Sequence, residues 1–452
     1  MKKYDMILSD MEAKIRDGHY RPGSKLVSVR KAAELYGCST NTISRAYGEL
    51  EKRHAVYSIP QSGFYVVDKE GSGSEQSEDV LQENGIDFSS ASPDLFVFPY
   101  LDFQHCLNKA IDTYKYRLFT YGDPQGMAEL RETLVRHLAS DQVFAKPERI
   151  FVTSGAQQAL EILAKMPFPN GKRTILLEQP TYNLYLRFLE FEQLPTAVIA
   201  RTAAGISLQE LERKFKGGDI KFFYTMSRYH NPLGTSYTTE ERKAIAALAK
   251  KYDVYIVEDD YMADLGVERG FDPIYSYDLT EHVVYLKSFS KIIFPGLRLG
   301  AAVLPEQLIE TFYRFKKYGD TSYLSQAALD IYIKNGMYER HKHAISSLYT
   351  SRMLALNEAL ERHNGAGLIQ ASGVSSGIYS QFRLPITVNM EQLMERLSGK
   401  QIRAVDGKGF YLPGYLEREK FLRISISRVS EGQMDEGIAG ILEEVKRANH
   451  FY

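Results

Sequence analysis

Apolar residues fall at helical steps early in the chain and in short unbroken runs later, and the two patterns divide it. Ile7, Leu8, Met11 and Ile15 recur at three- and four-residue intervals, which predicts an amphipathic helix ending near Gly18. Ser28 is placed to cap a second helix over 29–36, with Ala32, Ala33 and Leu35 inward and Gly37 as its stop. Ser39 or Thr40 caps a third helix running through Glu51, with Ile43, Ala46, Tyr47 and Leu50 inward. That leaves Thr40, Asn41, Thr42 and Arg45 facing outward at its start. Two β-prone runs, 55–59 and 64–67, flank Pro60-Gln61-Ser62-Gly63, a turn with glycine where positive φ is wanted. Three helices and a hairpin make a winged helix-turn-helix, whose third helix is the one that enters a DNA major groove.

From residue 88 onward the pattern changes. Runs at 174–177, 221–225, 254–257 and 283–286 are apolar without alternation, as in strands buried on both faces. Between the second and third, Thr238 and Glu241 form a capping box ahead of the apolar stretch 244–249. Strand, helix, strand at this spacing predicts a mostly parallel α/β sheet. In such a sheet ligands sit beyond the carboxyl ends of the strands.

Charge sharpens the division. The whole chain nearly balances, with 56 Lys and Arg against 57 Asp and Glu. Residues 1–67 carry 11 basic against 7 acidic side chains, a net of +4, and residues 68–87 carry one lysine against seven acids. The acidic stretch, with its Gly71-Ser72-Gly73-Ser74 run, reads as a flexible linker. A multidomain chain follows: a basic DNA-binding head over 1–67, a linker over 68–87, and an α/β body over 88–452 whose smaller subdomain spans roughly 331–452. A small helical docking domain with a merely solvated polar face is the competing reading of the head; its basicity and the position of the polar face favour double-stranded DNA. One head carries little charge for tight binding, which predicts a homodimer on two half-sites. Two cysteines, Cys38 and Cys106, cannot build a disulfide framework. With no apolar signal core and no run of about 18 apolar residues, the expected location is cytoplasmic, without a membrane partner.

Unusual polar residues cluster just past the predicted strands. Lys291 follows Ser288 and Ser290, with Arg298 seven residues on, which suits a Schiff-base lysine beside a phosphate; a solvated surface lysine is the alternative. Glu258, Asp259 and Asp260 follow an apolar strand, where three acids repel unless a cation is present; a pyridinium nitrogen suits them, and a divalent metal is the alternative. Ser154-Gly155-Ala156-Gln157 opens a helix, whose free N–H groups favour phosphate. Tyr182 and Asn231 each follow a strand, placed to stack on a ring and to donate to a phenolic oxygen.

In order, Tyr121-Gly122, Gly155-Ala156-Gln157, Tyr182, Asn231-Pro232-x-Gly234, Asp259-x-Tyr261, Ser288-x-Ser290-Lys291, Arg298 and Arg423 resemble the fold-type I pyridoxal-phosphate aminotransferases. Lys25-Leu26-Val27-Ser28-Val29-Arg30 and the 39–47 segment resemble the GntR repressors, so the whole chain resembles the MocR-type regulators. The resemblance implies pyridoxal 5'-phosphate as cofactor, with Lys291 as its Schiff-base lysine. Asp259 would lie at the ring nitrogen, Tyr261 and Asn231 at the ring hydroxyl, and Tyr182 over the ring. Ala156, Gln157, Ser288, Ser290 and Arg298 would hold the phosphate, with Tyr121 supplied by a partner subunit. Arg423 would take the carboxylate of an amino-acid or amine effector. In the head it implies DNA contacts by Arg30, Thr40, Asn41, Thr42 and Arg45, and by the Gln61-Ser62-Gly63 tip. The tyrosine stands two residues after the aspartate where many aminotransferases have three, so Glu258 and Asp260 remain alternatives to Asp259. An active aminotransferase with an accessory DNA-binding domain is the alternative function, and the cofactor itself as the signal is a third.

Overall fold

The computed structural model describes residues 3–21, 23–53, 55–59, 62–67, 85–265 and 271–449. The described residues of 1–83, 99–119 and 327–340 form one compact unit, and those of 84–98, 120–326 and 341–452 form a second.

In the first unit the helices lie at Lys3–Arg16, Val29–Tyr36 and Thr40–Lys52, followed by a hairpin of Val56–Ile59 and Gly63–Val66. Both caps expected of the short helices form. Ser28 Oγ accepts from Lys31 N, Gly37 closes that helix in the left-handed region, and Ser39 Oγ accepts from Thr42 N. Ile7, Met11, Ala32, Ile43, Ala46, Tyr47, Leu50 and Val56 make the shared core. Leu35, expected inward, is 68 % exposed. The helix has only eight residues, and Ala32 and Ala33 already occupy its buried stripe, so the next apolar position points away. Gly63 has φ +126°, and a Cβ there would meet Lys25 Cε at 3.1 Å, so the turn needs its glycine. In the same unit, the helix Tyr100–Tyr114 sets His105 against Tyr57, and Tyr57 stacks on Tyr65 with ring centroids 5.6 Å apart.

The second unit is built on an eight-stranded sheet. Its strands run in the order Ile150–Thr153, Gly300–Val303, Val283–Ser288, Tyr255–Asp259, Ile220–Thr225, Thr174–Gln179, Thr196–Thr202 and Gly205–Ile206. The five central strands from Val283–Ser288 to Thr196–Thr202 are parallel, as the unbroken apolar runs predict, and Gly300–Val303 and Gly205–Ile206 run antiparallel to their neighbours. The capping box at Thr238 and Glu241 starts the helix Thr239–Tyr252, which packs Ile245 and Ala249 against Phe223 and Ile256 of the sheet. A four-stranded antiparallel sheet follows, ordered Gln370–Ala371, Tyr379–Arg383, Phe421–Ser425 and Val405–Asp406.

The end of the expected linker is ordered in this unit. Ile86–Asp87 pairs with Ile402–Arg403, and the Asp87 carboxylate accepts from Ser89 N and Ser90 N at 2.9 and 3.2 Å. An acid with two backbone donors is a local fold element, not a solvated linker charge. Residues 68–84 lie outside the described residues, as does Gln61 of the expected wing tip. Among the described residues no helix is long and apolar enough to cross a membrane.

Candidate cofactor and effector site

Six strands of the large sheet, the central five and Ile150–Thr153, deliver their carboxyl ends to one side, and a cavity of ≈ 490 Å³ opens there. It is lined by Ala156, Gln157, Tyr182, Asn231, Asp259, Tyr261, Ser288, Ser290, Lys291, Arg298 and Arg423. Of the residues expected in the body site, Tyr121 alone does not line it; this residue is 98 % exposed.

Strand alternation separates the three consecutive acids. Asp259 faces the cavity, where its Oδ2 accepts from Tyr224 Oη at 3.0 Å and its Oδ1, fully buried, has no partner. Glu258 points to the other face, accepting from Ser227 Oγ, Ile274 N and Tyr275 N. Asp260 pairs with Arg228 at 2.7 Å and accepts from Tyr285 Oη at 2.9 Å. Glu258 and Asp260 are satisfied by protein donors, Arg228 among them, so the cation that three adjacent acids call for is needed at Asp259 alone. Burial, the nearby Asp260 charge and only one hydrogen bond leave the Asp259 carboxyl pushed up to about 7, a group short of a cationic partner.

A second buried charge cluster invites a metal reading and refuses it. His137, Asp141 and Asp264 offer ligand atoms near one another, but the ammonium of Lys287 lies 2.7 Å from Asp141 and 2.8 Å from Asp264. Lys287 is on the strand that leads to Lys291 and points to the opposite side of the sheet.

The anion cradle comes from the turn after Ile150–Thr153. Gly155 has φ +80° and caps the helix Ala156–Lys165 with no side-chain hydrogen bond, leaving the first N–H groups free. Arg298 closes over the turn, donating to Ser154 O at 3.0 Å and Gln157 Oε1 at 3.3 Å. Gln157 in turn donates to Tyr182 Oη at 2.9 Å, fixing that ring at the cavity wall. Tyr261 Oη donates to Tyr229 O at 2.5 Å, and the buried Asn231 Oδ1 is unpartnered.

Lys291 Nζ donates to Ala91 O at 2.5 Å and to Tyr379 Oη at 3.4 Å. Arg423 lies over the Tyr379 ring, 4.7 Å from its centroid, and donates to Ser89 O. Ala91, Ser92, Tyr379, Tyr224, Leu184 and Met226 belong to the site and were not foreseen. Tyr379 comes to Arg423 because their strands pair, Gln381 opposite Arg423. No signal short of that pairing identifies it.

A phosphorylated pyridine aldehyde fits this donor set: an amine, a buried orphan carboxylate oxygen and an anion cradle that a Cβ at position 155 would crowd. A winged helix-turn-helix head together with such a body defines a DNA-binding regulator of aminotransferase fold. Residues 83–441 match the family "Aminotransferase class I and II", and residues 3–66 match "Bacterial regulatory proteins, gntR family". The HTH-type transcriptional regulator YcxD of Bacillus subtilis (strain 168), described as uncharacterized, is 46 % identical over 97 % of this chain and 98 % of its own. YdcR of Escherichia coli (strain K12), described likewise, is 27 % identical over 91 % and 92 %. The solved kynurenine aminotransferase of Pyrococcus horikoshii superposes with TM-score 0.74 and 26 % identity, covering 84 % of this chain and 96 % of that one. The chain belongs to the aminotransferase class I and II family, in its branch of GntR-headed, MocR-type transcriptional regulators. Pyridoxal 5'-phosphate is the cofactor of this fold, the head is a DNA-binding domain, and an aminotransferase fold points to amino-acid ligands.

Proposed function

We propose that the body is a sensor: it holds pyridoxal phosphate, takes up an amino-acid or amine effector, and thereby controls how a homodimer's heads grip an operator. The observation that carries this reading is the single cavity in which Lys291, Asp259, the Gly155–Gln157 cradle and Arg423 meet, in a chain with a GntR head. Bound there, the cofactor supplies an aldehyde for covalent capture of an amine and a ring that withdraws electrons. Lys291 would be the amine that anchors it. Asp259 keeps the ring nitrogen protonated through its orphan Oδ1, and the cation relieves the cost of burying the carboxylate. Ala156, Gln157, Ser288, Ser290 and Arg298 would hold the phosphate, Tyr182 would hold the ring, and Asn231 and Tyr261 would serve its hydroxyl. Tyr121, nearly fully exposed, is left to serve the cavity of a partner subunit. Arg423 pairs with the effector's carboxylate, a bidentate task that lysine performs poorly.

In the head, Arg30, Thr40, Asn41 and Arg45 are exposed and half-buried Thr42 sits in the first turn of the third helix. Arg45 lies over the Tyr4 ring at 5.3 Å, a platform that holds its guanidinium near the DNA face. Ser62 and Gly63 extend the contact from the wing. The head over 1–67 and a body that begins by Ile86, with a smaller subdomain from about 331, serve this division of labour, and a DNA-binding regulator works in the cytoplasm. The effector alters DNA affinity only through contacts that differ between two states of the dimer.

Spectral titration of the loaded protein with amino acids, repeated with operator DNA present, tests this. A visible absorption band that shifts on addition of an amino acid, and is absent in Lys291→Ala, is expected. No band, or a band that survives in Lys291→Ala, overturns the reading. Because the site is complete for amino-group transfer, sustained conversion of the cofactor to its amine form would favour the enzyme reading; a DNA affinity set by the cofactor alone would make the cofactor the signal.

A further inference from the structure

Residues 89–92 run to the cavity wall between two fixed points. Before them, Phe88 N donates to Arg403 O and Ser425 N to Phe88 O, both at 2.8 Å, tying the chain to the smaller sheet. After them, Asp94 forms a buried ion pair with Arg352 at 2.5 Å. Between these points Ser89 N and Ser90 N stay in the local turn on Asp87, and the carbonyls tie the stretch to the rest of the body. Ser89 O accepts from Arg423, Ser90 O accepts from Ser427 Oγ at 3.0 Å, and Ala91 O accepts from Lys291 Nζ at 2.5 Å. Ala91 and Ser92 line the cavity. The stretch also follows almost directly on residues 68–84, the chain that joins head to body.

Two of these three carbonyl anchors are thus side chains with work to do in the site. A guanidinium has five N–H groups and can serve Ser89 and a carboxylate together. Lys291 has no such latitude. As an ammonium it has three N–H groups; as an imine nitrogen it has at most one, directed to the cofactor, and Ala91 O is left without its donor.

We infer that Ser89–Ser92 is a strap that reports whether the nitrogen of Lys291 is free. This rests on the reading of Lys291 as the cofactor's anchor. Loading the cofactor releases the strap at Ala91. A primary amine ligand restores it: arriving as an ammonium with three protons, its nitrogen forms the C=N bond as the bond to Nζ breaks, two of those protons pass to Nζ, which held one as the protonated imine, and the resulting ammonium returns to Ala91 O. The signal is therefore specific to primary amines, and a carboxylate at Arg423 alone does not produce it.

Hydrogen exchange of the full-length protein, followed by mass spectrometry on peptides covering 86–98, tests this in four states. Exchange is expected to be slow without cofactor, about tenfold faster with pyridoxal phosphate (the loss of one charge-assisted hydrogen bond), and slow again with an amino acid that shifts the absorption band. N,N-dimethylglycine, which has the carboxylate but a tertiary nitrogen that cannot form a C=N bond, should leave exchange fast. Lys291→Ala should be fast in every state, with peptides of the Tyr255–Asp259 strand still protected as proof of folding. Flat exchange across the four states, or protection by N,N-dimethylglycine equal to that by the amino acid, overturns the strap while the absorption band keeps the cofactor reading intact. Absence of the band would instead remove the cofactor reading itself.

Discussion

Asp259 shows how a single carboxyl ties site to stability. Burial, then the neighbouring Asp260 charge, lift its pKa from 3.8 to about 7 against the pull of Tyr224. A carboxyl raised on folding costs nothing below its unfolded pKa, where both states are protonated. Its cost then grows as pH rises from about 4 to about 7 and stays constant above. Asp259→Asn removes that cost, so the melting temperature of the cofactor-free variant relative to wild type should climb between pH 5 and pH 8, by a few degrees. Glu258, raised to about 7 by burial, titrates in both proteins and cancels. A difference that does not change with pH would refute the assignment of the raised pKa to Asp259. Cofactor loading should flatten the slope in wild type, since a ring N–H⁺ supplies the missing partner. The sequence made the three acids visible but not their division. Which of 258, 259 and 260 faces the cavity depends on the phase of strand alternation, and the residues that occupy Glu258 and Asp260 come from 227, 228, 274, 275 and 285. Tyr379 and the Ser89–Ser92 carbonyls were illegible for the same reason: they reach Lys291 only through long-range pairing, and a backbone carbonyl carries no side-chain signature.

Elements were more legible than contacts, because caps and turns are written locally. Ser28, Gly37, Ser39, Thr238 and Glu241 all act where a reading of the sequence put them. Leu35 failed because a short helix has room for only a narrow buried stripe. Two predictions belong here. Ser39→Ala removes the cap donated to by Thr42 N at 3.2 Å, and should cost the head about 1 kcal/mol while leaving the cofactor absorbance and the body's melting unchanged. One shared loss in both would mean the head does not fold as its own unit. Gly155→Ala acts on the cradle: φ +80° is strained for any Cβ, and the added carbon would lie 3.1 Å from Arg298 Nη2. Displacing that guanidinium costs one charge-assisted contact to phosphate, roughly 1.5–3 kcal/mol, so cofactor affinity should fall about 10- to 100-fold by equilibrium titration. An unchanged affinity would remove Arg298 and the 155–157 turn from the phosphate site.

At the scale of the molecule, the near-neutral total charge conceals a head with a net of +4 and an acidic stretch beside it. A head with so few cations meets few phosphates, and each phosphate neutralised contributes about 0.9 to the slope of log affinity against log salt. Arg45, exposed on the third helix and backed by Tyr4, is the side chain whose loss reads this most simply. If two heads of a dimer grip two half-sites, Arg45→Gln removes two phosphate contacts from each complex, and the slope should become shallower by about 2. If one head binds alone, the change should be about 1. The measurement is a fluorescence-anisotropy titration on one operator duplex at several salt concentrations, with the cofactor absorbance of wild type and variant compared to show that the body is intact. A variant with unaltered slope would take Arg45 off the DNA face. Repeating the series with a half-site duplex separates the remaining terms: wild type on a half-site should then match the slope of a single head, and the effector should lose its influence there, because a change in the spacing of two heads has nothing to act on when only one is bound.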